Sequence, residues 1–180
     1  MLADTVDGQP IAGANDLVAD ARGGVYFSGD GPETILYVTP QGNVIKASTA
    51  AMRPNGIQLS ADGKVVYTGT LPSDTVYAYD VQPDGRLAPP RPFAQVAEKG
   101  QPSGVDGIAT DGAGRVYTSA TAGVQVISPQ GKILGTIPMP LKPRKLAFAG
   151  KDRKTLFVVA RGGTVKVQML PDGPKGGRSK

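Results

Sequence analysis

The sequence contains no cysteine, no histidine and no tryptophan. Without cysteine there is no disulfide, no thiolate metal ligand and no thiol nucleophile. Without histidine there is neither a Ser-His-Asp triad nor an imidazole metal ligand. Any bound metal must therefore be held by oxygen atoms, and this favours calcium, magnesium or manganese.

Long apolar runs are also absent, so no segment is expected to span a bilayer and no membrane partner is predicted. The first residues lack the basic start and apolar stretch of a secretion signal, so the chain as written predicts no export. The sequence has no Walker A, GxGxxG or GxSxG motif. A nucleotide-binding protein and a serine hydrolase are therefore both disfavoured.

The net charge of +5 is unevenly distributed along the 180 residues. Residues 1–140 hold 9 Lys/Arg and 13 Asp/Glu, or −4, whereas residues 141–180 hold 11 Lys/Arg and 2 Asp/Glu, or +9. A basic end can attract nucleic acid. No nucleic-acid-binding motif accompanies this charge, so we interpret it as a solvated face with a tail and expect no nucleic-acid partner.

One pattern occurs four times along the chain: a polar residue, a short apolar strand, a tight turn, usually with Asp and Gly, and a second apolar strand. The copies start at Asn15, Asn55, Asp106 and Arg144, so the steps between them are 40, 51 and 38 residues. Repeats of this length and content are typical of propeller blades. The sequence therefore predicts an all-β fold, a β-propeller of about four blades.

Glycine and proline number 25 and 16, and they lie between the apolar runs, where they indicate turns. Residues 87–102 hold four prolines and are predicted to be the longest connection, which accounts for the 51-residue step. Tyr77 and Tyr79 share one strand face and are predicted to pack between blades. We expect a partial propeller over residues 1–170 and a flexible basic tail over residues 171–180.

The repeat also predicts where a site lies. Residues at one offset in successive blades gather at one end of the central channel, and here they are Asn15, Asn55 and Asp106. Two carboxamides and one carboxylate suit a hard cation such as Ca²⁺. The alternative is that these are turn residues that bond their own backbone. The fourth position, Arg144, cannot ligate a metal, but it can pair with Asp106, compete with a metal or bind an anionic product.

Several segments together resemble the SMP-30/gluconolactonase/LRE family, in the right order over roughly residues 1–170. They are Ala14–Val18, Arg53–Ile57, Leu59–Lys64, Val105–Ala109, Leu146–Gly150 and Lys154–Val158. The resemblance implies a six-bladed propeller with a divalent metal at the end of its channel and hydrolysis of sugar-acid lactones. Ca²⁺ is the first choice of metal, with Zn²⁺, Mn²⁺ or Mg²⁺ as alternatives.

By the same resemblance, Asn55 and Asp106 match metal ligands, and Asn15 matches an asparagine near the metal that helps to bind substrate. The family's glutamate ligand lies in an acidic motif that has no counterpart here, and the family tends to carry asparagine at the position of Lys145. Four repeats rather than six predict an open arc with exposed sheet faces that favour self-association. A closed four-bladed ring is the alternative.

Two functions follow as hypotheses. The first is a divalent-metal-dependent hydrolase of small lactones, with Asp106 as catalytic proton acceptor and metal ligand, Asn55 and Asn15 as further ligands, and Asn15 and Arg144 as substrate contacts. The second is a non-enzymatic propeller fragment that binds a metal or another ligand.

Overall fold

A computed structural model describes residues 4–11, 13–29, 34–49, 53–70, 73–96, 104–121 and 123–174. Every regular element in these ranges is a β-strand, so the predicted all-β class is confirmed. The strands form one short hairpin and four antiparallel sheets, arranged as four blades of a β-propeller. Within the same ranges there is no helix of the length and apolarity that a membrane crossing requires.

Each sheet follows chain order, so neighbouring strands are also consecutive in sequence. The hairpin consists of β1 (Thr5–Val6) and β2 (Gln9–Pro10). The first sheet contains β3 (Asp16–Ala19), β4 (Val25–Ser28), β5 (Ile35–Val38) and β6 (Val44–Ser48). The second contains β7 (Pro54–Leu59), β8 (Val65–Thr70), β9 (Thr75–Asp80) and β10 (Arg91–Gln95). The third contains β11 (Ile108–Thr110), β12 (Val116–Ala120), β13 (Gly123–Ile127) and β14 (Ile133–Pro138). The fourth contains β15 (Pro143–Ala149), β16 (Thr155–Ala160) and β17 (Gly163–Gln168).

The first strands of successive sheets lie side by side, since β3 contacts β7, β7 contacts β11 and β11 contacts β15. These four are therefore the inner strands. Apolar side chains fill the space between adjacent sheets. Tyr26, Ile57 and Tyr79 lie between the first and second sheets. Tyr77 packs against the same cluster, so the predicted inter-blade packing of both tyrosines is confirmed.

The later interfaces follow the same plan. Val76 and Ile108 are buried between the second and third sheets. Tyr117, Leu146 and Leu156 are buried between the third and fourth. Each buried aliphatic or aromatic side chain of this kind contributes about 1.5–3 kcal/mol through removal of apolar surface from water. Burial between neighbouring sheets therefore fixes the order and spacing of the inner strands.

The second sheet differs from the sequence-based expectation. Residues 87–102 were predicted to be a connection, but Arg91–Gln95 forms β10, the outer strand of this sheet. The strand has a register shift between Pro92 and Ala94. An edge strand tolerates proline at a bulge or at a position that faces outward, because the backbone amide that proline lacks would donate no hydrogen bond to a neighbouring strand there. The prediction of a connection over residues 87–102 was therefore wrong for Arg91–Gln95, because it took the prolines as a sign of turns.

The predicted tail is partly packed. Asp172 accepts a hydrogen bond from the backbone of Gly112 at 2.8 Å, and Gly173 donates one to the backbone of Arg153 at 2.8 Å. The Arg153 guanidinium also donates to the carbonyl of Pro174 at 2.8 Å. Residues 171–174 are thus held against the turns of the third and fourth sheets, and residues 175–180 lie outside the described ranges.

One face of the first sheet has no neighbouring sheet among the described residues. Phe27, Leu36 and Val38 lie on that face and cluster with Val6 of the hairpin. The hairpin covers the face only in part, because the side chain of Leu17 is 61% exposed. The described apolar clusters join the first sheet to the second, the second to the third and the third to the fourth, and none joins the fourth to the first.

Candidate functional site

The four repeat positions lie at the same end of the inner strands. Asn15 directly precedes β3, Asn55 is the second residue of β7, Asp106 lies two residues before β11, and Arg144 is the second residue of β15. Because these strands are consecutive neighbours, the four residues lie around one end of the central axis. Repeat geometry therefore places residues from distant parts of the sequence in one region, as the spacing predicted.

The two asparagines are in direct contact. The Nδ2 atom of Asn15 donates a hydrogen bond to Oδ1 of Asn55 at 2.6 Å. Asn55 is only 5% exposed, and its backbone carbonyl oxygen accepts a hydrogen bond from the Ser28 hydroxyl at 2.5 Å. The Asn15 backbone donates to the carbonyl of Ser28 at 2.7 Å. The pair is therefore held by its own amide contact and by one serine of β4.

Asp106 makes a different contact. Its carboxylate accepts a hydrogen bond from Nη1 of Arg144 at 3.1 Å, and the two side chains are 30% and 45% exposed. The backbone amides of Asp106 and Gly107 donate to the hydroxyl of Ser119 at 3.1 and 3.0 Å. One of the alternatives for Arg144, pairing with Asp106, is thus what the structure shows.

A hydroxyl at one repeat position supports the site backbone in three sheets, and this role was not predicted from the sequence. Ser28 and Ser119 make the contacts given above, and Thr68 donates to the carbonyl of Gly56 at 2.9 Å. All three lie near the end of the second strand of their sheet, at the same distance after the tight turn. The recurrence of Ser or Thr at that offset was the available sequence signal.

Two glycines bring the inner strands into close contact at this end. A Cβ added at Gly56 would overlap the carbonyl oxygen of Asp106. A Cβ added at Gly107 would lie 2.5 Å from the carbonyl oxygen of Arg144 and 2.7 Å from the Cα atom of Lys145. Real Cβ atoms do not approach other atoms so closely, so the absence of a side chain at both positions is what allows the three strands to meet.

Asp16 and Lys145 form a second ion pair at the site, which was not predicted from the sequence. The Nζ atom of Lys145 contacts Oδ1 of Asp16, although the residues are 129 positions apart. The other carboxylate oxygen, Oδ2, accepts a hydrogen bond from the backbone of Ile57 at 3.1 Å. The Asp16 carboxylate therefore lies beside the start of β7, next to Asn55.

The donor set agrees in type with a hard divalent cation, since carboxylate and carboxamide oxygens are the ligands that such ions prefer. Asn15, Asp16, Asn55 and Asp106 supply these oxygens. Each carboxylate, however, is paired with a basic side chain, so the formal charges of the site sum to zero. Within the described ranges, no group of three or more His, Cys, Asp or Glu side chains is placed to hold a metal.

Comparison with known proteins shows the family of the chain. The model of the SMP-30/gluconolactonase/LRE-like region matches residues 1–162. A 6-deoxy-6-sulfogluconolactonase from Pseudomonas putida is 30% identical over 129 residues, covering 70% of this chain and 44% of the relative. A gluconolactonase from Zymomonas mobilis is 26% identical over 191 residues, covering 93% of this chain and 53% of the relative. The chain thus spans about half the length of these relatives.

Solved structures support the fold. A gluconolactonase from Xanthomonas campestris superposes with a TM-score of 0.78 at 22% identity, over 88% of this chain and 57% of its own. A calcium-binding regucalcin from Agrobacterium tumefaciens superposes with a TM-score of 0.75 at 22% identity, over 89% of this chain and 62% of its own. The match of the family model to 162 of 180 residues means that the chain belongs to the SMP-30/gluconolactonase/LRE-like family.

Proposed function

We propose that this chain carries the site of a divalent-metal-dependent hydrolase of small lactones, similar to a gluconolactonase. The contact between Asn15 and Asn55 is the observation that carries the proposal, because it brings two carboxamides from separate repeats to one point. Gly56, the residue after Asn55, packs against the backbone carbonyl of Asp106, and the Asp106 carboxylate is proposed as a further ligand. The relatives named gluconolactonase and 6-deoxy-6-sulfogluconolactonase support a lactone as the substrate class.

Asn55, Asp106 and Asn15 are the residues proposed to hold the metal. Ca²⁺ is the first choice because all donors are oxygens, with Mn²⁺, Mg²⁺ or Zn²⁺ as alternatives. A calcium-binding regucalcin among the solved neighbours supports this choice. When bound, such an ion polarises a carbonyl oxygen and lowers the pKa of a coordinated water.

The protein's own groups supply the remaining steps. Asp106 is proposed to accept the proton of the attacking water as a general base. The backbone at Asp106 is held in place because the amides of Asp106 and Gly107 both donate to the Ser119 hydroxyl. An ionised carboxylate accepts several hydrogen bonds, so contact with Arg144 leaves lone pairs free for a water.

Asn15 and Arg144 are proposed to position the substrate. Asn15 uses one of its two side-chain amide hydrogens on Asn55, so the second hydrogen can bind a sugar hydroxyl while the side-chain oxygen faces the proposed metal. Arg144 presents five N–H donors, and its side chain is 45% exposed. The donors that Arg144 does not use on Asp106 suit the carboxylate that lactone opening produces.

The proposal is tested by following the opening of gluconolactone in a pH-stat, with Ca²⁺, Mn²⁺, Mg²⁺ or Zn²⁺ and with a chelator. Because this lactone opens spontaneously, each rate is compared with that of buffer containing the same metal. With at least one metal, we expect lactone to open faster than in buffer. With the chelator, we expect the rate to equal that of buffer. Asn15→Ala is expected to raise KM more than it lowers kcat. Rates equal to buffer with every metal would contradict the proposal.

A second candidate is a non-enzymatic module that binds a metal or another ligand. It is favoured by the two ion pairs, which occupy both carboxylates. Propeller folds serve many functions, so the fold does not decide between the two. A chain that binds a divalent ion in calorimetry yet leaves lactone opening at the buffer rate would support this candidate.

A further inference from the structure

Asp16 and Lys145 occupy the same position in the first and fourth repeats. Each directly follows a site residue, Asn15 or Arg144. In the second and third repeats this position is Gly56 or Gly107, and the missing Cβ of each would point at the next inner strand. A side chain at this position is therefore directed toward the following repeat.

Asp16 agrees with this geometry, because its carboxylate accepts a hydrogen bond from Ile57 on the next inner strand, β7. Lys145 lies on the last inner strand that the structure describes, and no further repeat follows it there. Its ammonium group instead contacts Asp16 at the other end of the row. The pair thus joins the fourth sheet to the first across the end of the channel.

Burial makes the two partners unequal. The side chain of Asp16 is 12% exposed, whereas that of Lys145 is 45% exposed. A carboxylate that is mostly removed from water requires a counter-charge, because its desolvation is costly. Lys145 provides that charge at the edge of β7, beside the contact between Asn15 and Asn55.

We propose that Lys145 is an internal cation of this site, which neutralises Asp16 and opposes the binding of a divalent metal beside Asn15 and Asn55. A unit charge a few ångströms from a divalent ion repels it strongly at a partly buried position. Removal of Lys145 also leaves Asp16 without a counter-charge, and a metal ion can then supply it. The inference rests on the proposed function only in taking this end of the channel as the metal site.

The test is calorimetric titration of CaCl₂ into the full chain and into Lys145→Met. Lys142→Met is the matched control, because Lys142 is an exposed lysine three residues earlier with the same charge. We expect Kd for Ca²⁺ to tighten by about tenfold or more in Lys145→Met and to remain at the wild-type value in Lys142→Met. Equal Kd values in all three proteins, or no binding in any, would overturn the inference.

Asp16→Asn is a second variant that separates the charge of Lys145 from the ion pair itself. It removes the pair but leaves the ammonium, so we expect no tightening of Kd. Tightening equal to that of Lys145→Met would overturn the inference, since loss of the pair alone would then explain it. Circular dichroism checks folding, and Lys145→Gln replaces Lys145→Met if the latter does not fold. Tighter Ca²⁺ binding without lactone hydrolysis would contradict the proposed function and leave this inference standing.

Discussion

Gly56 lies directly against the carbonyl group of Asp106, so that a Cβ atom at Gly56 would overlap the carbonyl oxygen. The two residues belong to neighbouring repeats, the second and the third. This backbone contact sets the distance between β7 and the start of β11. It thereby sets the position of Asn55 relative to Asp106, on which the proposed metal site depends.

Gly56→Ala is therefore expected to destabilise the fold by about 1–3 kcal/mol, the usual cost of overpacking a close contact. Urea unfolding followed by circular dichroism measures the change. Gly135→Ala is the matched control, because Gly135 lies in β14 and no atom of the described residues comes within 4 Å of an added Cβ there. That variant is expected to be as stable as the wild type or slightly more stable. Equal stability of the two variants would show that the Gly56 contact is not tight.

Asp20 gives a prediction for acid stability. Burial disfavours its charged form, but hydrogen bonds from Tyr37, Gly24 and Arg22 outweigh burial and lower the pKa of the Asp20 carboxyl. The Tyr37 hydroxyl lies 2.7 Å and the Gly24 amide 2.8 Å from the carboxylate oxygens. A carboxyl with a lowered pKa stabilises the fold above its unfolded pKa of about 4, and this stability is lost as pH falls through the folded pKa.

Asp20→Asn should therefore lower the free energy of unfolding by about 1–3 kcal/mol at pH 7, and this difference from the wild type should shrink below pH 4. Urea unfolding at pH 7 and at pH 3 measures both differences. Asp80→Asn is the control, since Asp80 makes an ion pair with Arg91 in which both side chains are more than half exposed. A difference between wild type and Asp20→Asn that is the same at both pH values would refute this assignment.

The fold was largely predictable because the sequence signals that specify it are local and recur in each repeat. Turn residues and alternating apolar positions recur at each blade, so the all-β class and the four units follow from the sequence. Pro92 was the exception, because an edge strand tolerates a residue that a central strand excludes. Sequence pattern alone does not tell an edge strand from a connection.

The site was predictable only in part. Symmetry predicted that Asn15, Asn55 and Asp106 lie at one end of the channel, since they share an offset in the repeat. The contact between Lys145 and Asp16 was not predictable, because it joins residues 129 positions apart through the length of one side chain. Such a contact depends on the curvature of the row of four sheets, and a local sequence pattern does not predict that curvature.

The open face of the first sheet gives a prediction for self-association. Leu17 is 61% exposed there, and it lines a pocket of about 440 Å³ with Val25, Phe27 and Val38. An apolar surface of this kind tends to be covered by another surface. We expect sedimentation velocity to show concentration-dependent association of the wild-type chain, and Leu17→Asp to weaken it.

Leu170→Asp is the matched control for this experiment. Leu170 is 94% exposed and follows β17 of the fourth sheet, whereas Leu17 belongs to the first sheet. The Leu170→Asp substitution introduces the same charge as Leu17→Asp and should leave association unchanged. A wild-type chain that remains monomeric over the whole concentration range would contradict the prediction.

Asp106 is the central residue of the proposed site, since it is proposed both to hold the metal and to accept a proton. The most direct test is the rate of gluconolactone opening above buffer, measured with Ca²⁺ for the wild type, Asp106→Ala and Asp84→Ala. Asp84 serves as the control because it pairs with Arg86 in an exposed turn, outside the proposed site. We predict a rate above buffer for the wild type and Asp84→Ala, and a rate equal to buffer for Asp106→Ala. An Asp106→Ala rate equal to that of the wild type would contradict the account.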